Sequence, residues 1–121
     1  MEKINTGQVW AFPASENLPP LMVFIGCIDQ MDNQIIASVM IVPHPEAEEA
    51  VWPRVSHLPI ALESLGLEEG RMVKEGVDIS AQMREGYTIW LAKYRTGAAG
   101  VFNTTVAEAY TSVVYTKNNS R

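Results

Sequence analysis

Apolar residues recur along this chain with two different periods, and the switch between them divides it into a strand-forming half and a helix-forming third. Gln8 to Phe12 alternates, with Trp10 and Phe12 on one face, as a half-covered strand does. Pro13, Pro19 and Pro20 bracket a loop that also holds Ser15 and Asn17. Leu21 to Ile28 is the longest apolar run, rich in Val23, Phe24, Ile25 and Ile28, and suits a central strand covered on both faces and reaching Asp29. Asp32-Asn33 is a turn signal, and Gln34 to Val42 is a second apolar strand. The two pair most simply as an antiparallel hairpin with a short loop.

Pro43-His44-Pro45 ends the second strand, because proline cannot donate to a central ladder. Residues 43–57 then read as an acidic loop or a short irregular helix. A short helix is expected at Ile60 to Leu65, with Pro59 in its first turn and Gly66 at its end. Arg71 to Glu75 fits a further short strand. Beyond it the period becomes helical: Met83, Tyr87, Trp90, Leu91 and Tyr94 fall on one face. Asp78 or Ser80 can cap that helix, Lys93 and Arg95 complement its dipole in the last turn, and Gly97 is a left-handed stop. Gly86 in its middle costs about 1 kcal/mol relative to alanine, so it marks close packing. Val101-Phe102 fits a brief strand. Thr105 and Glu108 have capping-box spacing ahead of a second stripe, Val106, Ala109, Tyr110, Val113 and Val114. Lys117 to Arg121 is a polar tail.

Strands first and helices later is the α+β pattern. The expectation is a single domain over residues 1–121, with a small antiparallel sheet of three or four strands packed by two or three C-terminal helices. The opening strand, irregular loop and apolar hairpin equally suit a partly open SH3-like barrel. With 121 residues the chain is too short for two independent cores, and 47% hydrophobic against 19% charged residues favours a folded chain over a disordered one. No run reaches the roughly 18 apolar residues of a membrane span. The N-terminus has no apolar signal core, and the single Cys27 forbids an internal disulfide, so a reducing cytoplasm is the expected compartment and no membrane association is expected.

Charge narrows the partners. The net charge is −5, and residues 1–57 hold seven acids and two bases against seven of each in 58–121. An acidic domain repels a phosphate backbone, so nucleic acid is not expected and a basic protein is the better partner. Arg84, Lys93, Tyr94 and Arg95 come nearest to a basic patch with aromatics, but Glu85 interrupts them and they sit where a helix end favours bases anyway.

Catalytic groups are scarce. Cys27 lies in the most apolar strand, where burial makes a thiol inert. Neither Gly-x-Ser-x-Gly nor Ser-x-x-Lys occurs. His44, between Pro43 and Pro45, is held extended and exposed, whereas His57 can turn inward towards backbone. With Glu46, Glu48 and Glu49 these two histidines lie within fourteen residues, which makes them weak candidates for a metal, yet His-Glu-x-x-His spacing is absent. Thr96-Gly97-Ala98-Ala99-Gly100 is glycine-rich but runs from helix towards strand, the reverse of a phosphate loop. No cofactor is expected. Trp52, among Glu48, Glu49, Pro53 and Arg54, is either a lid folded onto the sheet or an anchor for a basic partner, since binding hot spots favour tryptophan.

Gly7-Gln8-Val9-Trp10, His57-Leu58-Pro59-Ile60, Glu85-Gly86-Tyr87 with Trp90, and Thr96-Gly97-Ala98-Ala99-Gly100-Val101-Phe102 leading into Val106-Ala107-Glu108-Ala109 occur in that order. In this the chain resembles a family of small bacterial proteins without an assigned activity, marked by a Gly-x-x-Trp start, a His-Leu-Pro turn and a Gly-x-Ala-Gly-Val-Phe segment. The stretch after Pro59 departs from it in being shortened and lacking a serine cap. The resemblance implies a free-standing bacterial domain and brings no catalytic residues. Gly-Gln-Val-Trp is also similar to the start of SH3-like ribonuclease toxins, but the acidic balance and the missing arginine pattern count against that activity.

Two readings of function follow. The first is a non-enzymatic protein-binding domain, like an immunity protein or inhibitor, engaging a basic partner through Trp52, Glu46, Glu48 and Glu49. The second is a small hydrolase or metal- or ligand-binding domain using His44, His57 and the nearby glutamates. The scarcity of chemical groups ranks binding above enzyme, and the apolar strands also allow a homodimer.

Overall fold

The computed structural model describes residues 4–15, 18–48, 51–66 and 69–119, with side chains up to Val114. Five strands form one open antiparallel sheet: β1 (Val9–Phe12), β2 (Leu21–Met31), β3 (Gln34–Pro43), β4 (Val55–Ala61) and β5 (Arg71–Lys74), in the order β4-β3-β2-β1-β5. Two helices follow, α1 (Ala81–Arg95) and α2 (Val106–Asn119). The α+β architecture read from the sequence is therefore present, as an open sheet with one strand more than expected.

β2 and β3 make the longest ladder, from Leu21 opposite Pro43 to Met31 opposite Gln34. Asp32 and Asn33 close it with φ of 51° and 66°. A two-residue loop with both residues left-handed is the turn whose twist matches the strands it joins, and Asp and Asn tolerate that region best after glycine.

Pairing then sorts the side chains. Across one face run Phe12 and Leu21, then Met72, Trp10, Val23 and Ile41, then Ile25, Val39 and Leu58, then Ile28, Ala37 and Ile60. α2 lays Val106, Ala109, Tyr110 and Val114 on this face, and Leu65, Trp52 and Phe102 close its margins. The helix begins with the capping box read from the sequence: Glu108 N–H donates to Thr105 Oγ1, and Thr105 N–H donates to Glu108 Oε1, both at 3.2 Å. Burying those side chains at about 2 kcal/mol each is the main source of stability.

The opposite face carries Ala11, Met22 and Val42, then Val9, Phe24 and Met40, then Cys27, Ser38 and Pro59, then Asp29, Ile36 and Ala61. α1 packs over its hairpin-end half, against β4 and β3. Ser80, not Asp78, is the cap, its Oγ accepting from Met83 N–H at 3.1 Å. The last turn closes with Ala98 N–H on Lys93 O and Gly97 N–H on Tyr94 O, and Gly97 takes φ of 80° where a Cβ would be strained. Among the described residues no helix is long and apolar enough to cross a membrane.

One expectation fails. Ile60 to Leu65 is not a helix; β4 runs through Pro59 to Ala61, and only Leu62–Ser64 forms a 3₁₀ turn before Gly66, at φ 76°. Pro59 is tolerated because β4 is an edge strand. Its missing N–H lies on the outer side, where Phe102 N–H donates to Pro59 O at 3.0 Å and Ala61 N–H to Phe102 O at 2.8 Å. Residues 44–48 and 51–54 form neither helix nor strand, as the loop alternative for 43–57 supposed, while Pro43 ends β3 and residues 55–57 open β4.

Asn33→Val, which puts a β-branched residue in the left-handed region, should lower stability by about 1 kcal/mol. A shift in the urea midpoint at unchanged slope would register it.

Candidate functional site

Two regions hold the residues with chemical or binding potential. The first is the layer between α1 and the sheet. His57 projects from β4 towards α1 and meets it at Gly86, where an added Cβ would stand 2.7 Å from His57 Cβ. This is the close approach that a mid-helix glycine implied. Trp90 and Tyr87 flank the imidazole, with ring centroids 5.6 and 6.1 Å away, and Tyr94 continues the stack 5.0 Å beyond Trp90. Trp90 Nε1 donates to Gly100 O at 2.9 Å, tying the helix to the chain beyond its end.

Burial without a compensating charge pushes His57 down to about 4. Its Nε2 and the Oγ of Ser38, from β3, are buried without hydrogen-bond partners among the described residues. A base held neutral and walled by aromatic rings supports packing rather than proton transfer.

Beside it Tyr87 OH donates to Asp29 Oδ2 at 2.9 Å, and Cys27 Sγ donates to the same oxygen at 3.5 Å. Desolvation, followed by its interactions with Cys27 and Asp29, raises Tyr87. Cys27 is half-buried rather than sunk in the core, because an extra residue at Gly26 shifts the register and brings it under α1. Its thiol is nevertheless raised, chiefly by burial, which keeps it protonated.

The second region lies at the other end of the same face. Ala11, Met22, Phe24, Met40 and Val42 form adjoining half-buried positions beyond the β3–β4 half of the face on which α1 chiefly packs. The segment leading into α1, Val77 to Ser80, walls one side of this patch beside Phe24 and Met40. β3 runs out of it into the turn at His44. There Glu46 N–H donates to His44 Nδ1 at 3.1 Å, which fixes the turn and leaves Glu46 and Glu48 exposed. A shallow cavity between Val42, His44, Ala47, Trp52 and Arg54 joins turn and patch.

The sequence candidates divide between these places. His44 caps an exposed turn and His57 lies under α1, so the two histidines face different surroundings. Among the described residues no three His, Cys, Asp or Glu side chains gather as metal ligands. Glu46 and Glu48 stand at the exposed turn, and Glu49 lies outside the described residues. Trp52 is half-buried and folded onto the core. Its ring stacks on Tyr110 at 6.3 Å and 27°, and Tyr110 OH donates to Pro53 O at 2.7 Å. That is the lid arrangement. Sequence reasoning missed the open patch, since Met22, Phe24, Met40 and Val42 read as positions in two covered strands; the alternation between two strand faces was the available signal.

Gly86→Ala should cost about 2 kcal/mol by forcing the helix off His57, measured by chemical denaturation. pH supplies a second test. His57 binds a proton near 6.5 when unfolded but only near 4 when folded, so its contribution is complete above 6.5 and is lost as pH falls towards 4. Across that window wild type should lose more stability than His57→Phe; parallel denaturation curves would refute the buried neutral imidazole.

Compared with known proteins, the chain matches no family model, no curated protein and no solved structure.

Proposed function

We propose that this protein is a non-enzymatic protein-binding domain. Its binding surface combines the open patch of Met22, Phe24, Met40 and Val42 with the acidic turn carrying Glu46 and Glu48. The supporting observation is the unequal treatment of the two sheet faces. One is closed by α2 and the residues at its margins, whereas the other is closed over only half its length. Contiguous partly exposed apolar residues beside charged ones are a common anatomy of an interaction surface. A partner fitting it brings apolar side chains for the patch and positive charge for the turn. Trp52, already stacked on Tyr110, acts here by holding the adjoining backbone in place.

Affinity capture from the protein's own cells tests this reading. Wild type should retain a discrete partner that is lost with Met40→Glu and weakened, most at low salt, with Glu46→Lys plus Glu48→Lys. Equal capture by both variants, each folded by circular dichroism, would remove the patch from the account.

A further inference from the structure

We infer that residues 78–101, which carry α1, form a strap that lifts from the sheet as one unit while the β2–β3 hairpin and α2 stay folded, and that acid promotes its release. Nothing in this requires the binding role proposed above. The segment is attached chiefly at its ends. On one side Val77 N–H donates to Gly7 O at 2.9 Å, and on the other Phe102 N–H donates to Pro59 O at 3.0 Å. Between these anchors, among the described residues, no backbone–backbone hydrogen bond joins the segment to the sheet. Its other bonds close within it: the Ser80 cap on Met83, the turn bonds to Lys93 and Tyr94, and Trp90 Nε1 on Gly100 O. Two side-chain hydrogen bonds reach the hairpin, Tyr87 to Asp29 and Tyr94 to Asp32.

The two layers on either side of the sheet are unlike. α2 closes a core of apolar side chains that includes Val23, Ile25, Val39 and Tyr110. Met83 and Trp90 are buried on the other side of the sheet, as are Ile36 and Ala61, and all four lie outside that cluster. Lifting α1 therefore leaves the main core intact. The layer it leaves holds both of the polar atoms that are buried without partners among the described residues, Ser38 Oγ and His57 Nε2. Burying such an atom is costly, and water relieves that cost once the helix is raised. Parts of a fold that bury little apolar surface open at lower free energy than the core.

Acid adds to this. The titratable groups sharing the layer with His57 are Tyr87 from α1 and Cys27 and Asp29 from β2, and β3 places Ser38 and Met40 there, which do not titrate. Asp29 already accepts from Tyr87 and Cys27. Arg84 and Glu85, beside Gly86 in α1, are exposed. Burial holds His57 down to about 4, against 6.5 in water, so proton binding favours the raised strap as pH falls from 6.5 towards 4. Release joins Ile36 and Ala61 to Met22, Phe24 and Met40 in one uncovered apolar face.

Hydrogen exchange of the whole chain under native conditions, followed over a series of urea concentrations below the unfolding transition, tests the inference. The amides of α1 should converge on one urea-dependent opening, populated about tenfold or more above the opening of the β2–β3 ladder, with α2 following the ladder. Between pH 7.5 and pH 5, the protection factors of α1 should fall about tenfold or more in wild type and by much less in His57→Phe. An α1 that exchanges with the same free energy and urea slope as the hairpin overturns the inference, because the domain then opens only as a whole. Exchange of α1 by urea-independent fraying alone also overturns it, as does an equal pH response in wild type and His57→Phe.

Discussion

The register of the β2–β3 hairpin governs everything else in this molecule. A one-residue slip in it would turn the apolar face of one central strand against the opposite face of the other. Asp32 and Asn33, both left-handed, set that register from the tip, and the ladder holds it for the length of two long strands. The extra residue at Gly26 then matters as much as the turn. It lets Val23 and Ile25 point towards α2 while keeping Ile28 on that same face and Cys27 and Asp29 on the other. Without the bulge Asp29 would enter the apolar core and Ile28 would face the tyrosines of α1. The bond from Tyr87 to Asp29 and the seat of Met83 over Gly26 are consequences of it.

Much of this architecture could be read from local pattern, and the parts that could not share a physical cause. Periodicity located both helices, and capping chemistry located their ends, because those signals act within four or five residues of chain. Ser80, Gly97 and the Thr105–Glu108 box all do what their positions imply. β4 escaped because Pro59 carries the same local message at the start of a helix as on an edge strand. What separates the two is whether Phe102, more than forty residues on, supplies the outer hydrogen bonds. Trp52 is a related case: its local sequence allowed either a lid on the sheet or an anchor, and its stacking partner Tyr110 is nonlocal. Gly86 and His57 were each legible alone, one as a close approach and the other as an inward-turning ring, but no local signal joins them.

That pairing also accounts for the histidine's place in the packing. Its ring fills the space that Gly86 opens in α1, and the aromatic side chains of Tyr87 and Trp90 complete the wall. Proton binding works against that packing, since among the described residues nothing of opposite charge is placed to offset the cost of burial. Cys27 and Tyr87 are likewise held in their neutral forms by the layer around them. The polar groups beneath α1 thus hold the helix in place and fix where it stops, which in turn determines how much of the sheet remains uncovered.

The extent of the open patch is therefore a property of α1 and not of the strands beneath it. Met22, Phe24, Met40 and Val42 belong to the same continuous apolar face as Ile36 and Ala61, which is why the strands look uniformly buried in sequence. α1 enters that face beside Phe24 and Met40 and runs away from them towards the hairpin tip, where Tyr94 reaches Asp32. Leaving the patch open forgoes apolar burial of about 25 cal/mol for each Å² left in water, an appreciable loss for a domain whose net stability is only a few kcal/mol. In the proposed binding role, a partner that covers the patch recovers this free energy in the bound state. The same sheet can then serve both as the floor of the core and as half of an interface.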